Sequence, residues 1–242
     1  MLVALFALTV FAHAAWAGLQ MPREWLLNGD GYVRALRVET LWQGGGWFDN
    51  SIARTNAPFG DTSHWTRPLD VLISLLALPL APLLSVKKAI FWGSALSGPI
   101  LHGATVAALV WAVWPFVGRT VAIFAGVMAV AQPGVLTFAK LTSADHHILI
   151  ALLLVFGFGF AVRGMPREGS ATAPSAAGIC VALAFWVSTE SFVFAALCLG
   201  TLGLVWLSGD DDSTAPKAGR FAVAFAASLA AATLIERGVA GF

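Results

Sequence analysis

Charge is what this sequence has least of. Asp, Glu, Lys and Arg together make up 11% of 242 residues, against 58% hydrophobic residues and a mean hydropathy of +0.80. A soluble domain carries about 25% charged residues and at most about half apolar ones, so this composition excludes both a soluble globular domain and a disordered chain. What remains is a protein of the bilayer. Fourteen Lys and Arg offset thirteen Asp and Glu. No basic cluster is longer than Lys87-Lys88, so nothing neutralises a row of phosphates, and nucleic acid is excluded as a partner. Cysteine is nearly absent: Cys180 and Cys198 both lie in apolar runs, where a thiol behaves as a small core hydrophobe. Neither a disulfide framework nor a zinc ribbon can be built. The apolar run from Leu2 to Ala17 ends in Ala15-Trp16-Ala17, a small-x-small cleavage pattern, but no Lys or Arg precedes Arg23. We read the run as an uncleaved first span, with a cleaved signal as the alternative, and the missing polar leader points to a clipped start.

Residues 19–67 form the one long polar stretch. Within it, Asp30 to Leu41 reads as a short helix capped by Asn28 or Asp30, with Val33, Leu36 and Leu41 on one face and Arg34 and Arg37 on another. Trp42, Trp47, Phe48 and Trp65 fit a segment lying against lipid headgroups. Apolar runs follow at about 71–86, 89–115, 120–139, 147–162, 173–189, 191–207 and 221–235. A span needs about 20 residues. The first of these runs is short, starts at Asp70 and contains Pro79 and Pro82.

Whether that first run crosses sets the side of every later loop. If it does not cross, Arg119, Arg163, Arg167, Lys217 and Arg220 are cytoplasmic and Lys87, Lys88 and Lys140 external, which the positive-inside rule prefers. The acids agree. Between Ala89 and Leu207 there are only Asp145, Glu168 and Glu190; Glu168 sits in a polar loop beside Arg167, leaving Asp145 and Glu190 isolated at span ends. A lone acid at a span end is costly without a purpose. In the non-crossing topology both emerge on the face that carries Asp30. The expected architecture is therefore an all-α integral membrane protein of about seven spans. It comprises a first span at 1–18, an external loop with amphipathic helices and a short non-spanning run at 19–87, and six further spans within 88–242.

Four constellations can carry chemistry. Asn28-Gly29-Asp30-Gly31-Tyr32 sets a carboxylate between glycines, with Arg34 and Arg37 one and two turns on as forked donors for phosphate oxygens; the plainer alternative is a helix-capping Asp on a solvated loop. Ser143-Ala144-Asp145-His146-His147 can ligate a divalent cation. Its carboxylate favours Mg²⁺ or Mn²⁺, and its imidazoles tilt toward Mn²⁺ or zinc; the alternative is a polar turn at the membrane surface. His64-Trp65-Thr66-Arg67-Pro68 with Asp70 can position a phosphate through Arg67 or a sugar through Trp65, or simply anchor the interface. Glu190 is either functional or a snorkelling acid. His102 reads as a hydrogen-bonded packing residue and Asp210-Asp211-Asp212 as a solvated connector. Gly93-Ser94-Ala95-Leu96-Ser97-Gly98 lacks a glycine needed for an intramembrane serine protease, and no H-E-x-x-H occurs.

The order of these features resembles the GT-C membrane glycosyltransferases. One span, a long loop opening N-G-D-G-Y-x-R, a helix ending in the Gly-rich turn Leu41-Trp42-Gln43-Gly44, a short proline-containing run, two spans joined at Arg119 and then Asp-His-His make up the pattern. It is most similar to the catalytic subunit of oligosaccharyltransferase in its bacterial and archaeal forms, over roughly Leu2 to Val162. The resemblance implies that Asp30 is a metal ligand that contacts the acceptor, and that Asp145 with His146 or His147 binds the same metal. Glu190 has no counterpart in the family's later loop glutamate, no W-W-D motif is present, and an N-terminal portion of a longer enzyme, or a short relative, is expected.

The expected function is transfer of a sugar or oligosaccharide from a polyprenyl-phosphate-linked donor to a protein, lipid or glycan acceptor at the periplasmic face of a bacterial inner membrane. Mg²⁺ or Mn²⁺ held by Asp30, Asp145, His146 and His147 would neutralise the departing phosphate, helped by Arg34, Arg37 and Arg67. His64, Trp65, Asp70 and Glu190 are further candidates. The alternative is a transporter or lipid flippase using Asp145, His146 and Glu190 as a polar path. A third reading is a non-catalytic membrane fragment. A transporter places its ionisable groups near the midplane, often in repeated halves; here they sit at span ends and no repeat is present.

Overall fold

The computed structural model describes residues 1–20, 25–164, 166, 168–208 and 214–239. Arg23, Arg167 and the Asp210–Asp212 run lie outside these residues. The chain forms α1 (Leu2–Gln20), α2 (Gly29–Trp42), a two-residue ladder of β1 (Ser51–Ile52) and β2 (Asp61–Thr62), α3 (Pro68–Ala77), α4 (Val86–Val130), α5 (Pro133–Ala139), α6 (His147–Gly164), α7 (Ala173–Val187), α8 (Phe192–Ser208) and α9 (Thr214–Arg237). It is an all-α membrane protein. Four helical segments, Val86–Val130, His147–Gly164, Thr189–Ser208 and Thr214–Arg237, are long and apolar enough to cross a bilayer, while Leu2–Trp16 and Ala173–Val187 are apolar but shorter.

The polar stretch folds as its local chemistry dictates. The Asn28 side chain accepts the Gly31 N–H at 2.9 Å and starts α2. The buried face of α2 is the one that carries the arginines: Gly31, Arg34, Arg37 and Val38 turn inward. α3 spans ten residues, or about 15 Å at 1.5 Å per residue. A short 3₁₀ turn at Leu78–Leu80 and Pro82 end it, which leaves it shorter than the four helices long enough to span. Leu69, Ile73 and Ala77 of α3 pack with Ala89, Ile90 and Leu101 of α4, Ala139 and Ile148 into the largest core cluster. Close packing here relies on a missing side chain: a Cβ on Gly93 would stand 2.7 Å from the Ile73 carbonyl.

α4 is a helical hairpin. Pro115 withholds an N–H and Gly118 adopts φ 73°, a left-handed value that reverses the chain. The returning limb then runs back along its partner: Val106, Val110 and Ala122 share a core with Leu5, the His102 ring lies 3.2 Å from the Ala129 carbonyl, and Thr142 N–H donates to Ala95 O at 3.0 Å. A continuous helix over 120–139 is not what forms. The limb breaks at Ala131-Gln132, because Pro133 opens a new helix whose first turn is capped by the Gln132 side chain on Val135 N–H at 2.8 Å. The two pieces still return the chain to the end where α4 began, and so deliver Asp145 beside α2 and α3.

This pairing fixes which loops share a side. With both native cysteines replaced by alanine, single cysteines at Lys87 and Lys140 should react with an impermeant maleimide from one side of the membrane, and one at Arg119 from the other. Labelling of 87 and 140 from opposite sides would contradict the returning limb.

Candidate metal centre and substrate pocket

The buried face of α2 meets the first turn of α3 through charge. Asp70, fully buried, accepts from three guanidiniums: Arg34 Nη1 at 3.0 Å, Arg37 Nε at 2.7 Å and Arg67 Nη1 at 3.4 Å. Arg34 and Arg37 lie one turn apart on α2, which lets both reach one carboxylate. The remaining donors tie down the loop: Arg34 to Thr66 O, Arg37 to Asn50 Oδ1, and Arg67 to the carbonyls of Trp47 and Asp49. Burial draws the Arg34 guanidinium below its ordinary value while Asp70 pushes it back up. Asp70, a candidate site residue in the sequence, is thus the internal counter-ion of the arginines.

One layer away is the metal-type cluster. Asp145, His146 and His147 each offer a ligand atom, all within 4.8 Å of one another. The His147 ring is held at both nitrogens, Nδ1 2.6 Å from Asp145 Oδ1 and Nε2 3.0 Å from Glu190 Oε2. A neutral imidazole has one N–H, so both contacts are hydrogen bonds only when the ring is doubly protonated; deprotonated, it has a lone pair for a cation. The same Asp145 oxygen accepts the His147 backbone N–H at 2.9 Å, which sets the carboxylate at the start of α6. Burial first, then His147 and Arg34, hold the His146 imidazole below its ordinary value against the pull of Asp145 and Glu190. A carboxylate and two imidazoles at this spacing could serve together as ligands to a metal ion.

Trp65 links the two charge systems. Arg34 Cζ lies 4.7 Å from its ring centroid, within cation–π range, and the His146 ring lies 6.4 Å away. Beside them opens a cavity of about 440 Å³, whose walls include His64, Trp65, His146, Trp186, Glu190 and Glu236. Aromatic faces with carboxylates and hydroxyls suit a ligand that has both apolar faces and hydrogen-bonding groups.

The structure brings together Asp145, His146, His147 and Glu190, and separately Arg34, Arg37, Arg67 and Asp70, with Trp65 between and His64 edge-on to Trp65 at 5.7 Å. Asp30, expected as a ligand of the same metal, is not among the groups that meet in this cluster. It is exposed in the first turn of α2, at the same end, because Leu27 N–H donates to Thr142 O at 3.0 Å. His102 is fully buried and its ring contacts His13 at 2.9 Å, a packing pair between α1 and α4. Two residues escaped the sequence reading. Trp47, expected among headgroups, donates to Ile235 O at 2.8 Å; Glu236 Oε2 accepts from Trp186 Nε1 at 2.9 Å and Arg67 N–H at 3.1 Å, closing the cavity with α9. Carrying the lone-acid rule past Leu207 singles out Glu236.

Fold and site together define an all-α membrane protein with a carboxylate–imidazole cluster and a buried arginine hub at one end of its bundle. No protein-family model matches the chain, and no curated protein matches it in sequence.

The hub predicts a large stability effect. Asp70→Asn leaves three buried guanidiniums without their anion and should cost about 3–5 kcal/mol, read as a lowered unfolding midpoint in detergent. The exposed Asp61→Asn control should stay within about 0.5 kcal/mol. Equal midpoints for the two variants would contradict the hub.

Proposed function

We propose that the chain is a membrane-embedded glycosyltransferase of the GT-C kind. It transfers a sugar or oligosaccharide from a polyprenyl-phosphate-linked donor to a protein, lipid or glycan acceptor at the external face of a bacterial inner membrane. The observation that carries this reading is the juxtaposition of the Asp145–His146–His147 cluster with the Trp65-lined cavity and the Arg34 guanidinium. Mg²⁺ or Mn²⁺ is the proposed cofactor, and it would supply charge neutralisation at the departing phosphate oxygen.

The chain's own groups divide the remaining work. Asp145, His146 and His147 hold the cation, and Glu190 orients His147 through its second nitrogen. Such outer partners fix ring orientation and raise ligand basicity. Arg34, buried with its guanidinium over the Trp65 ring, places positive charge behind the wall against which the donor phosphate would rest; Arg37 and Arg67 hold Arg34 in place through Asp70. Trp65 and Trp186 offer aromatic faces to a sugar ring, and Glu236 and His64 accept or donate to its hydroxyls. Asp30, exposed at the start of α2, orients the acceptor and takes its proton as the bond from the anomeric carbon to phosphate oxygen breaks. The lipid tail of the donor stays in hydrocarbon while its phosphate reaches the headgroup boundary, where span ends carry these residues.

Transfer of labelled sugar from a polyprenyl-phosphate donor in proteoliposomes tests the reading. Asp145→Asn and His146→Ala should lower metal-dependent transfer by about 100-fold or more. Asp30→Asn should lower it while leaving Mn²⁺ affinity within about threefold. Transfer that persists in Asp145→Asn, or that ignores chelation of the metal, would refute the assignment.

A further inference from the structure

A second cavity, of about 470 Å³, shares no lining residue with the first. Four cations line it, Arg37, Arg54, Arg67 and Lys87, against two acids, Glu39 and Asp49. Both acids are engaged: Glu39 Oε1 lies 3.8 Å from Lys87 Nζ and accepts from Gln43, and Asp49 Oδ1 accepts the Ser51 N–H at 2.9 Å. Arg54 is exposed and makes no ion pair among the described residues.

The hub behind this cavity shares its negative charge unevenly. At ion-pair distance the two oxygens of Asp70 serve all three guanidiniums. Asp145 offsets Arg34, and Glu236 offsets Arg67. Among the described residues Arg37 has no second carboxylate. It is 3% exposed, its Nη1 ends on the neutral Asn50 amide, and its buried Nη2 has no hydrogen-bond partner among them. A buried guanidinium with an unmet donor beside further cations is expensive unless an anion completes it.

We propose that this cavity is a second binding site, separate from the Asp145 centre, for a phosphate-bearing anion, either a phosphomonoester or a diphosphate. The four cations of the cavity lining outnumber its two acids by two, which a phosphomonoester or a diphosphate matches and a single carboxylate does not. The unmet Nη2 of Arg37 and the exposed charges of Arg54 and Lys87 suit phosphate oxygens, while Arg67, whose nitrogens are all bonded within the protein, adds positive charge behind them. Lys87 opens α4 just before its apolar run, and Leu36 and Leu41 share the cavity wall. The site therefore lies where a lipid phosphate and a dissolved one can both reach it.

Binding of inorganic diphosphate to the full chain in detergent, followed by calorimetry, tests the proposal. Arg54→Ala with Lys87→Ala removes two exposed cations, should leave the unfolding midpoint unchanged and should weaken diphosphate binding about tenfold or more. Asp145→Asn should bind diphosphate as the wild type does. Absence of binding, wild-type affinity in the double variant, or loss of binding in Asp145→Asn would each overturn the second site; the transferase reading would be untouched by the first two. Repeating the titration in nanodiscs of phosphatidylcholine with and without phosphatidic acid assigns the source. Competition by phosphatidic acid identifies a lipid phosphate, and an unchanged affinity identifies a dissolved one.

Discussion

The polar end of this protein depends on one carboxylate. Asp70, buried in the first turn of α3, holds Arg34, Arg37 and Arg67, and these in turn fasten the loop from Trp47 to Thr66 onto the helix bundle. A loop this polar cannot bury itself by hydrophobic contact. It is organised instead by a charge cluster whose burial would be prohibitive if any member lost its partner. The arginines' leftover donors and surplus charge then reach outward, Arg34 toward Trp65 and Asp145, and Arg37 toward the second cavity.

The bundle's contribution is delivery. A chain that crossed once more or once less would leave Asp145 and Asp70 at opposite ends. The reversal at Gly118 and the interrupted return through Pro133 bring residues 140–147 back beside α2 and α3. The interruption leaves a hydrogen-bonded turn at Thr142–Ser143 that an unbroken helix would not have, and the Asp145 carboxylate emerges from it at the start of α6. α9 completes the pocket from the far end of the sequence through Glu236, and its Ile235 carbonyl accepts from Trp47 outside the pocket.

Much of this was legible from sparse charge. In an apolar chain each acid at a span end stands out, and Asp145 and Glu190 found that way meet across one imidazole. The helix over Asp30 to Leu41 and its Asn28 cap were equally visible, because capping is local chemistry. The inward turn of Arg34 and Arg37 was not. Reading an amphipathic helix assumes that arginines face water, and only Asp70, more than thirty positions on, inverts that face. Hydropathy likewise ran 120–139 together, since a proline flanked by apolar residues barely lowers a windowed average yet ends a helix. The contacts of Trp47 and Glu236 were hidden for the same reason as the pairing of Asp70 with the arginines: the partners are distant in sequence and belong to no local pattern.

The claim on which the functional account turns is that Asp145, His146 and His147 form a cation site with nitrogen ligands. Electron spin-echo spectroscopy of Mn²⁺ added to protein labelled with ¹⁵N only in histidine measures this directly. The account predicts ¹⁵N couplings from imidazole ligands that disappear when His146 and His147 are replaced by glutamine. A bound Mn²⁺ with no histidine coupling, or one whose couplings survive that double replacement, would contradict it.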